Sequence, residues 1–238
     1  KEAAKQDFLT FVKRMWPQFI EGKHHKIISE KFNKIASGEK TRLIINMPPR
    51  HTKSEFASYF LPAWMIGNDP QLKIIQATHT AELAVNFGRK TKNLIDSKEY
   101  QDLFATRLQE DSKAAGRWNT AQGGEYFAVG VQGAVTGRGA DLLIIDDPHS
   151  EQDMNSKNAF EKAYEWYTSG PRQRLQPGGR IILVMTRWSK KDLTEMLLKA
   201  QAEEKADKWD VVEFPAIMPS GKPVWPEYWR LEDLEAVK

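Results

Sequence analysis

The 238-residue sequence contains no cysteine, which excludes disulfides and thiolate metal sites and fits a reducing compartment. No uninterrupted apolar run of about 18 residues and no leader-like N-terminus can be read in it, so a soluble chain that does not span a membrane is expected. A large charge excess is missing as well. Lys and Arg number 35 against 32 Asp and Glu, a formal net charge of +3, too mild for a histone-like binder. Any contact with nucleic acid must therefore come from local clustering. The five histidines, His24, His25, His51, His79 and His149, lack zinc-ligand spacing. The sequence opens on Lys1 rather than Met, which fits a processed or excised fragment. No internal repeat or low-complexity tract is present.

What is present is enough apolar material for a sizeable core, 40% hydrophobic and 11% aromatic residues. Helical spacing over 8–20 and 26–36 predicts two N-terminal helices with a turn at Gly22. "RLIINM" (42–47) and "KIIQAT" (73–78) are short continuous apolar runs, as expected of strands buried on both faces. Helices are expected over 54–66, where Pro62 must kink or end the helix, from 79 to about 96, and over 190–204. Further strands are expected at 125–131, 141–146, 180–186 and 210–214. This alternation predicts an α/β domain with a mainly parallel central sheet flanked by helices. From residue 215 onward Pro215, Pro219, Pro223 and Pro226 mark a domain edge or linker, and 231–238 has the pattern of a helix start.

"INMPPRHTKSE" (45–55) joins an expected strand to an expected helix and contains Lys53-Ser54. A phosphate-binding loop has glycines at the positions held here by Met47 and Thr52, and neither residue supplies positive φ cheaply. Pro48 and Pro49 carry no N–H, so a phosphate cradle would use the backbone N–H groups of Arg50, His51, Thr52, Lys53 and Ser54. In that case Arg50 adds a fork of donors, Lys53 reaches the β/γ-phosphates, and the Ser54 hydroxyl ligates Mg²⁺. The other reading is a plain strand–turn–helix. "DLLIIDDPHS" (141–150) ends a strand in two carboxylates, where α/β sheets place ligands. Asp146 suits a metal-holding role and Asp147 the activation of water, although Asp-Asp-Pro is also an ordinary strand end and turn. Thr186 and Arg187 end the strand at 180–186 and either sense a phosphate or lie on the surface. Arg138, between glycines in "TGRG", is either an arginine finger, in cis or from a neighbouring subunit, or part of a connector.

Together "RLIINMPPRHTKSE", "TGRGADLLIIDDP" and "ILVMTRW" resemble the large terminase subunit of tailed bacteriophages, and "EGKHHKIISEKF" (21–32) and "FPAIMP…VWPE" extend the likeness over nearly the whole chain. The resemblance implies a P-loop NTPase of the additional-strand class that uses ATP and Mg²⁺. It implies a homo-oligomeric ring, a pentamer, on the portal protein, with double-stranded DNA through its centre, the small terminase subunit as partner, and a place in the host cytoplasm and at the procapsid portal vertex. In that pattern Lys53, Ser54 and Arg50 match Walker A, Asp146 matches the Walker B aspartate, Arg138 the trans-acting finger, and Thr186 the ATPase-coupling motif. Residues 1–214 would be the ATPase domain, with 1–40 as helices preceding its core. Residues 215–238 would be the linker toward a C-terminal nuclease domain, and no nuclease activity is expected from the fragment. The family's Glu after the Walker B Asp is replaced by Asp147, one methylene shorter, with Glu151 as a nearby substitute.

Arg172, Arg174, Arg180, Arg187, Lys190 and Lys191 form a stretch without acids, either a DNA-phosphate contact or a solvated loop. His24 and His25 fall in the family segment upstream of the P-loop, and packing or a helix start is the simpler reading. The tryptophans are expected in the core and at interfaces. Two further readings compete with a packaging motor: another P-loop motor such as a helicase, and a non-enzymatic DNA-binding scaffold in which 45–55 is a turn.

Overall fold

The computed structural model describes residues 1–112, 114–203 and 206–237. Seven strands form one sheet: β1 (Arg42–Asn46), β2 (Lys73–Thr78), β3 (Arg117–Asn119), β4 (Glu125–Gly130), β5 (Ala140–Asp146), β6 (Leu175–Met185) and β7 (Asp210–Glu213). Their order is β3-β4-β2-β5-β6-β1-β7, and every neighbouring pair is parallel except β3–β4. β6 therefore stands between β1, which leads into the Lys-Ser loop, and β5, which carries the paired aspartates. That insertion is the additional-strand arrangement.

The apolar runs make both faces of the sheet sticky, and helices cover both. Leu43, Ile45, Leu142, Ile144, Ile182 and Val184 point to one face, against Phe8, Phe11, Phe32, Phe56 and Trp64 from the N-terminal helices and the helix after β1. Ile44, Leu143, Ile145, Ile181 and Leu183 alternate to the other, against Trp166, Tyr167, Leu193 and Leu197. At about 1.5–3 kcal/mol for each fully buried large aliphatic, these two layers dominate the folding energy.

Three helix limits differ from the pattern in the sequence. The helix expected over 8–20 ends at Met15, because Trp16 precedes Pro17 and is held extended at φ −129° and ψ 82°. The helix after β1 runs unbroken past Pro62 to Asn68, because residues 55–60 widen into a π-helix in which the Leu61 N–H donates to the Phe56 carbonyl. The wider turn accommodates the proline's missing donor, and the Thr91 hydroxyl lies 3.5 Å from the Ser58 carbonyl. The helix expected from 190 starts at Leu193, after Asp192 caps it by accepting from the Glu195 N–H at 3.1 Å.

The proline-rich stretch lies against the domain. Trp225 is buried and packs on the rings of His24 and His25, with centroids at 5.6 and 5.0 Å. Trp229 Nε1 approaches the Arg50 carbonyl at 3.4 Å. Leu231–Glu235 forms the short helix that the pattern at 231–238 suggests.

Candidate nucleotide-binding site

Because β1, β5 and β6 are parallel, Asn46, Asp146 and Met185 finish at one edge of the sheet, and the residues following them meet there. The Met47 N–H donates to the Met185 carbonyl at 3.1 Å, which pins the start of the loop. Arg50 (φ 59°) and Thr52 (φ 70°) are left-handed. The second glycine position thus keeps a glycine-like backbone while carrying a β-branched residue, at a cost of about 1–2 kcal/mol. The Thr52 hydroxyl is held on His25 Nε2 at 2.7 Å, and the Thr52 carbonyl accepts from the Phe56 N–H at 3.0 Å. Left-handed residues in a turn just ahead of a helix are a backbone pattern of anion-accepting loops, and here the helix begins directly after Thr52, at Lys53.

The polar side chains then form two bonded groups, one on Asp147 and one on Asp146, brought together by the adjacency of the two aspartates. Lys53, buried to 6% side-chain exposure, places Nζ 2.9 Å from Asp147 Oδ2. Asp147 Oδ1 accepts from the Thr186 N–H at 2.8 Å, and the Thr186 hydroxyl donates to the Met47 carbonyl at 3.2 Å. Asp147 itself has φ 41°, a strained turn held by its N–H donating to the Val184 carbonyl at 2.9 Å. The Ser54 hydroxyl donates to Asp146 Oδ1 at 3.0 Å and the Ser58 hydroxyl to Asp146 Oδ2 at 2.6 Å. Gln76 Nε2 in turn donates to Ser58 Oγ at 2.8 Å.

Burial, and then the charge of neighbouring Asp147, push the Asp146 carboxyl up to about 7, although both serine hydroxyls and Lys53 pull it down. An anion desolvated in this way is stabilised by a cation beside it. Ser54 Oγ and Asp146 Oδ1, 3.0 Å apart, are hard oxygen donors of the kind Mg²⁺ takes, so the residues fit that ion. Burial lowers His25 to about 2 and His24 and His149 to about 4, so all three rings are neutral at pH 7.

Of the residues singled out in the sequence, Lys53, Ser54, Asp146, Asp147 and Thr186 are brought together. Arg50 is exposed. His51 is buried, with Nδ1 2.8 Å from the Pro49 carbonyl and its ring stacked on Trp229 at 5.8 Å. Arg138 is elsewhere. It precedes β5, pairs with Glu125 at the start of β4, and lies over the Phe127 ring at 4.0 Å. Glu125 is level with Asp141 in the sheet, five residues or roughly 17 Å from Asp146 along β5, so Arg138 does not reach this chain's own cluster. Glu151 is exposed on the 3-10 turn Glu151–Asn155.

Three of the six basic residues of the stretch are committed to internal partners, while Lys190 and Lys191 are exposed. Arg172 chelates Asp207 at 2.7 and 3.1 Å, Arg180 donates to the Ile35 and Ala36 carbonyls, and Arg187 binds Asp192 and Glu195. His24 and His25 have the packing role, and His25 also accepts from the Gly22 N–H at 2.8 Å, starting its helix. Ser58 and Gln76 went unread in the sequence. The i, i+4 spacing of Ser54 and Ser58 is the signal that points to the first; Gln76 looks like any polar residue in a strand.

One cleft borders the start of the loop and a second lies beyond Phe214. One of about 310 Å³ lies between Met47, Pro48, Thr186 and Phe214, and one of about 520 Å³ between His24, Ile27, Phe214 and Val224.

No family model matches the chain. The chain is 26% identical over 224 residues to the terminase large subunit of Enterobacteria phage T3, covering 92% of this chain and 37% of that one. Its fold matches the crystal structure of the HK97 bacteriophage large terminase with a TM-score of 0.63 at 12% identity, over 98% of this chain and 50% of that one. The large terminase of a thermophilic bacteriophage, in complex with ADP, overlays more loosely, with a TM-score of 0.48 at 12% identity over 78% of this chain and 44% of that one. The chain thus spans between about a third and a half of the length of the terminases it resembles. It is similar in sequence to a phage large terminase subunit and shares the α/β fold of another.

Proposed function

We propose that this chain is the ATP-hydrolysing motor domain of a viral large terminase, which drives double-stranded DNA into procapsids. The observation that carries the reading is the meeting of two bonded groups, Lys53–Asp147–Thr186 and Ser54–Asp146, on adjacent aspartates at the edge shared by β1, β6 and β5. The backbone N–H groups of Arg50, His51, Thr52, Lys53 and Ser54 receive the phosphates, and Lys53 exchanges Asp147 for the β/γ-phosphate oxygens. Ser54 and Asp146 hold Mg²⁺, which when bound neutralises phosphate charge. Once Lys53 turns to a phosphate, Asp147 Oδ2 is free to orient and deprotonate water, while Oδ1 stays on the Thr186 N–H. This pinned geometry favours Asp147 over the exposed Glu151 as base. Thr186, bonded to both Asp147 and the loop, is placed to pass the state of the phosphate to β6.

Arg138 acts on the site of a neighbouring copy, since it lies too far along β5 to act on its own. The motor is then a ring, a pentamer on the portal protein with DNA through its centre and the small terminase subunit as partner. It works in the host cytoplasm at the procapsid portal vertex. Residues 1–214 are the ATPase domain and 215–238 the linker toward a nuclease domain, and nuclease activity is not expected of residues 1–238. The test is ATP turnover per chain in Mg²⁺ as protein concentration rises, for wild type and Arg138→Ala. Turnover that climbs with concentration and is lost in the variant supports the ring motor. Turnover that is flat with concentration and unaffected by the variant contradicts the trans arrangement, and no turnover at any concentration contradicts the ATPase.

A further inference from the structure

Asp146 is 1% exposed at the end of β5, and its two oxygens face different partners. Oδ1 meets Ser54 at the mouth of the site, whereas Oδ2 is taken from within the fold by Ser58, itself 0% exposed. Ser58 is gripped in turn by Gln76, also 0% exposed, on β2. Gln76 is paired with Ile144, two residues before Asp146 and so on the same face of the sheet. Two strands and a helix therefore converge on one carboxylate oxygen. Filling this interior requires no polar atom. Buried serine and glutamine are costly there unless their bonds serve a purpose. A carboxylate turns readily about its terminal torsion, and an unheld one would share its lone pairs among whatever donors come near. The π-helical widening at 55–60 lies within the turn that carries Ser58 and leaves its hydroxyl on Oδ2 while that of Ser54 sits on Oδ1.

We infer that Ser58 and Gln76 are a positioning pair that locks Asp146 Oδ2 from inside, so that Oδ1 stays beside Ser54 Oγ as a ready pair of ligands for the nucleotide's divalent cation. The inference rests on the reading of Ser54 and Asp146 as metal ligands, and neither Ser58 nor Gln76 touches nucleotide in it. Partners of this kind, bonded to a metal ligand, typically change metal affinity by roughly 10–100-fold.

The test is ADP binding to the whole chain, measured by calorimetry in EDTA and across a Mg²⁺ titration, with thermal melting as a check on folding. In wild type Mg²⁺ tightens ADP, and Asp146→Asn removes that gain. Ser58→Ala raises the Mg²⁺ midpoint roughly 10-fold or more while the affinity in EDTA stays that of wild type, and Ser58→Thr, which keeps the hydroxyl, restores the midpoint. Gln76→Met shifts the midpoint in the same direction by less, and serves alone if Ser58→Ala does not fold. A wild-type Mg²⁺ midpoint in folded Ser58→Ala and Gln76→Met overturns the inference and leaves the ATPase reading standing. Equal weakening in EDTA and Mg²⁺ also overturns it, since that is what a merely structural role gives. Wild type that binds no ADP, or binds it without regard to Mg²⁺, overturns the ATPase reading and this inference with it.

Discussion

Replacing Asp146 by Asn should make the nucleotide-free protein more stable, by a margin that grows as pH rises from the ordinary carboxyl value of 3.8 and is complete above about 7. Burial and the charge of Asp147 raise the Asp146 carboxyl from its ordinary 3.8 to about 7 in the folded chain. Below the ordinary value both the folded and unfolded chains hold the proton, and the group costs nothing. Between there and about 7 the unfolded chain releases its proton first, so folding stability falls as pH rises, and above about 7 the loss is complete. A difference of roughly three units corresponds to about 4 kcal/mol at most. Asn keeps the shape but offers one acceptor where the carboxylate offered two, so either Ser54 or Ser58 must turn its hydroxyl round, at about 1 kcal/mol. The net gain at pH 8 is then about 2–3 kcal/mol, or about 5–10 °C in melting temperature for a chain of this size. Urea and thermal unfolding in EDTA at pH 8 and pH 4.5 measure it. A variant no more stable than wild type at pH 8, or equally stabilised at both pH values, would refute the claim that a desolvated acid sits under the loop.

Gly88→Ala, in the helix Ala81–Ile95, should lower the unfolding free energy by about 1–3 kcal/mol, and the urea midpoint with it, because a Cβ there would lie 2.4 Å from the Ala115 carbonyl oxygen. In an open helix the same change is worth about 1 kcal/mol of stabilisation, so a rise in the midpoint would contradict the close approach. Asp207→Ala removes the partner of Arg172 and of Arg42, whose Nε lies 3.1 Å away, and should cost about 2 kcal/mol at pH 7, less than a fully buried pair because its side chain is 21% exposed. Burial raises the Asp207 carboxyl, but bonds to the two arginines outweigh it and hold it below the ordinary range. The contribution is therefore present above the ordinary carboxyl value and lost as pH falls through the lower folded one. The gap between wild type and variant should close in acid-unfolding curves, and a gap that persists there contradicts the pairing.

β1, β2, β5 and β6 were legible in the sequence because strands buried on both faces read as unbroken apolar runs, and a parallel sheet then sets their C-terminal ends side by side. That geometry makes Lys53, Ser54, Asp146, Asp147 and Thr186 legible as a group from strand order alone. The short antiparallel strand β3 was not, since three residues are too few to show alternation. Helix Ala159–Ser169 did carry a signal, with Phe160, Ala163, Trp166 and Tyr167 on one face, but no side chain caps its start. The left-handed backbone at Arg50 and Thr52 was hidden by residue types that disfavour it. There the His25–Thr52 bond and the helix that follows override local preference. The separation of Arg138 from the cluster depends on strand register, which a glycine-rich loop does not disclose. Ser58 and Gln76 depend on how one helix turn, widened ahead of Pro62, faces a strand two elements away.

The central claim, that residues 45–55 form a nucleotide site rather than a turn, is tested most directly by calorimetric titration of wild type and Lys53→Ala with a non-hydrolysable ATP analogue in Mg²⁺. The account predicts one site per chain in wild type and loss of binding in a variant that keeps its fold. Wild type that binds nothing, or a folded Lys53→Ala that binds as wild type does, would contradict it.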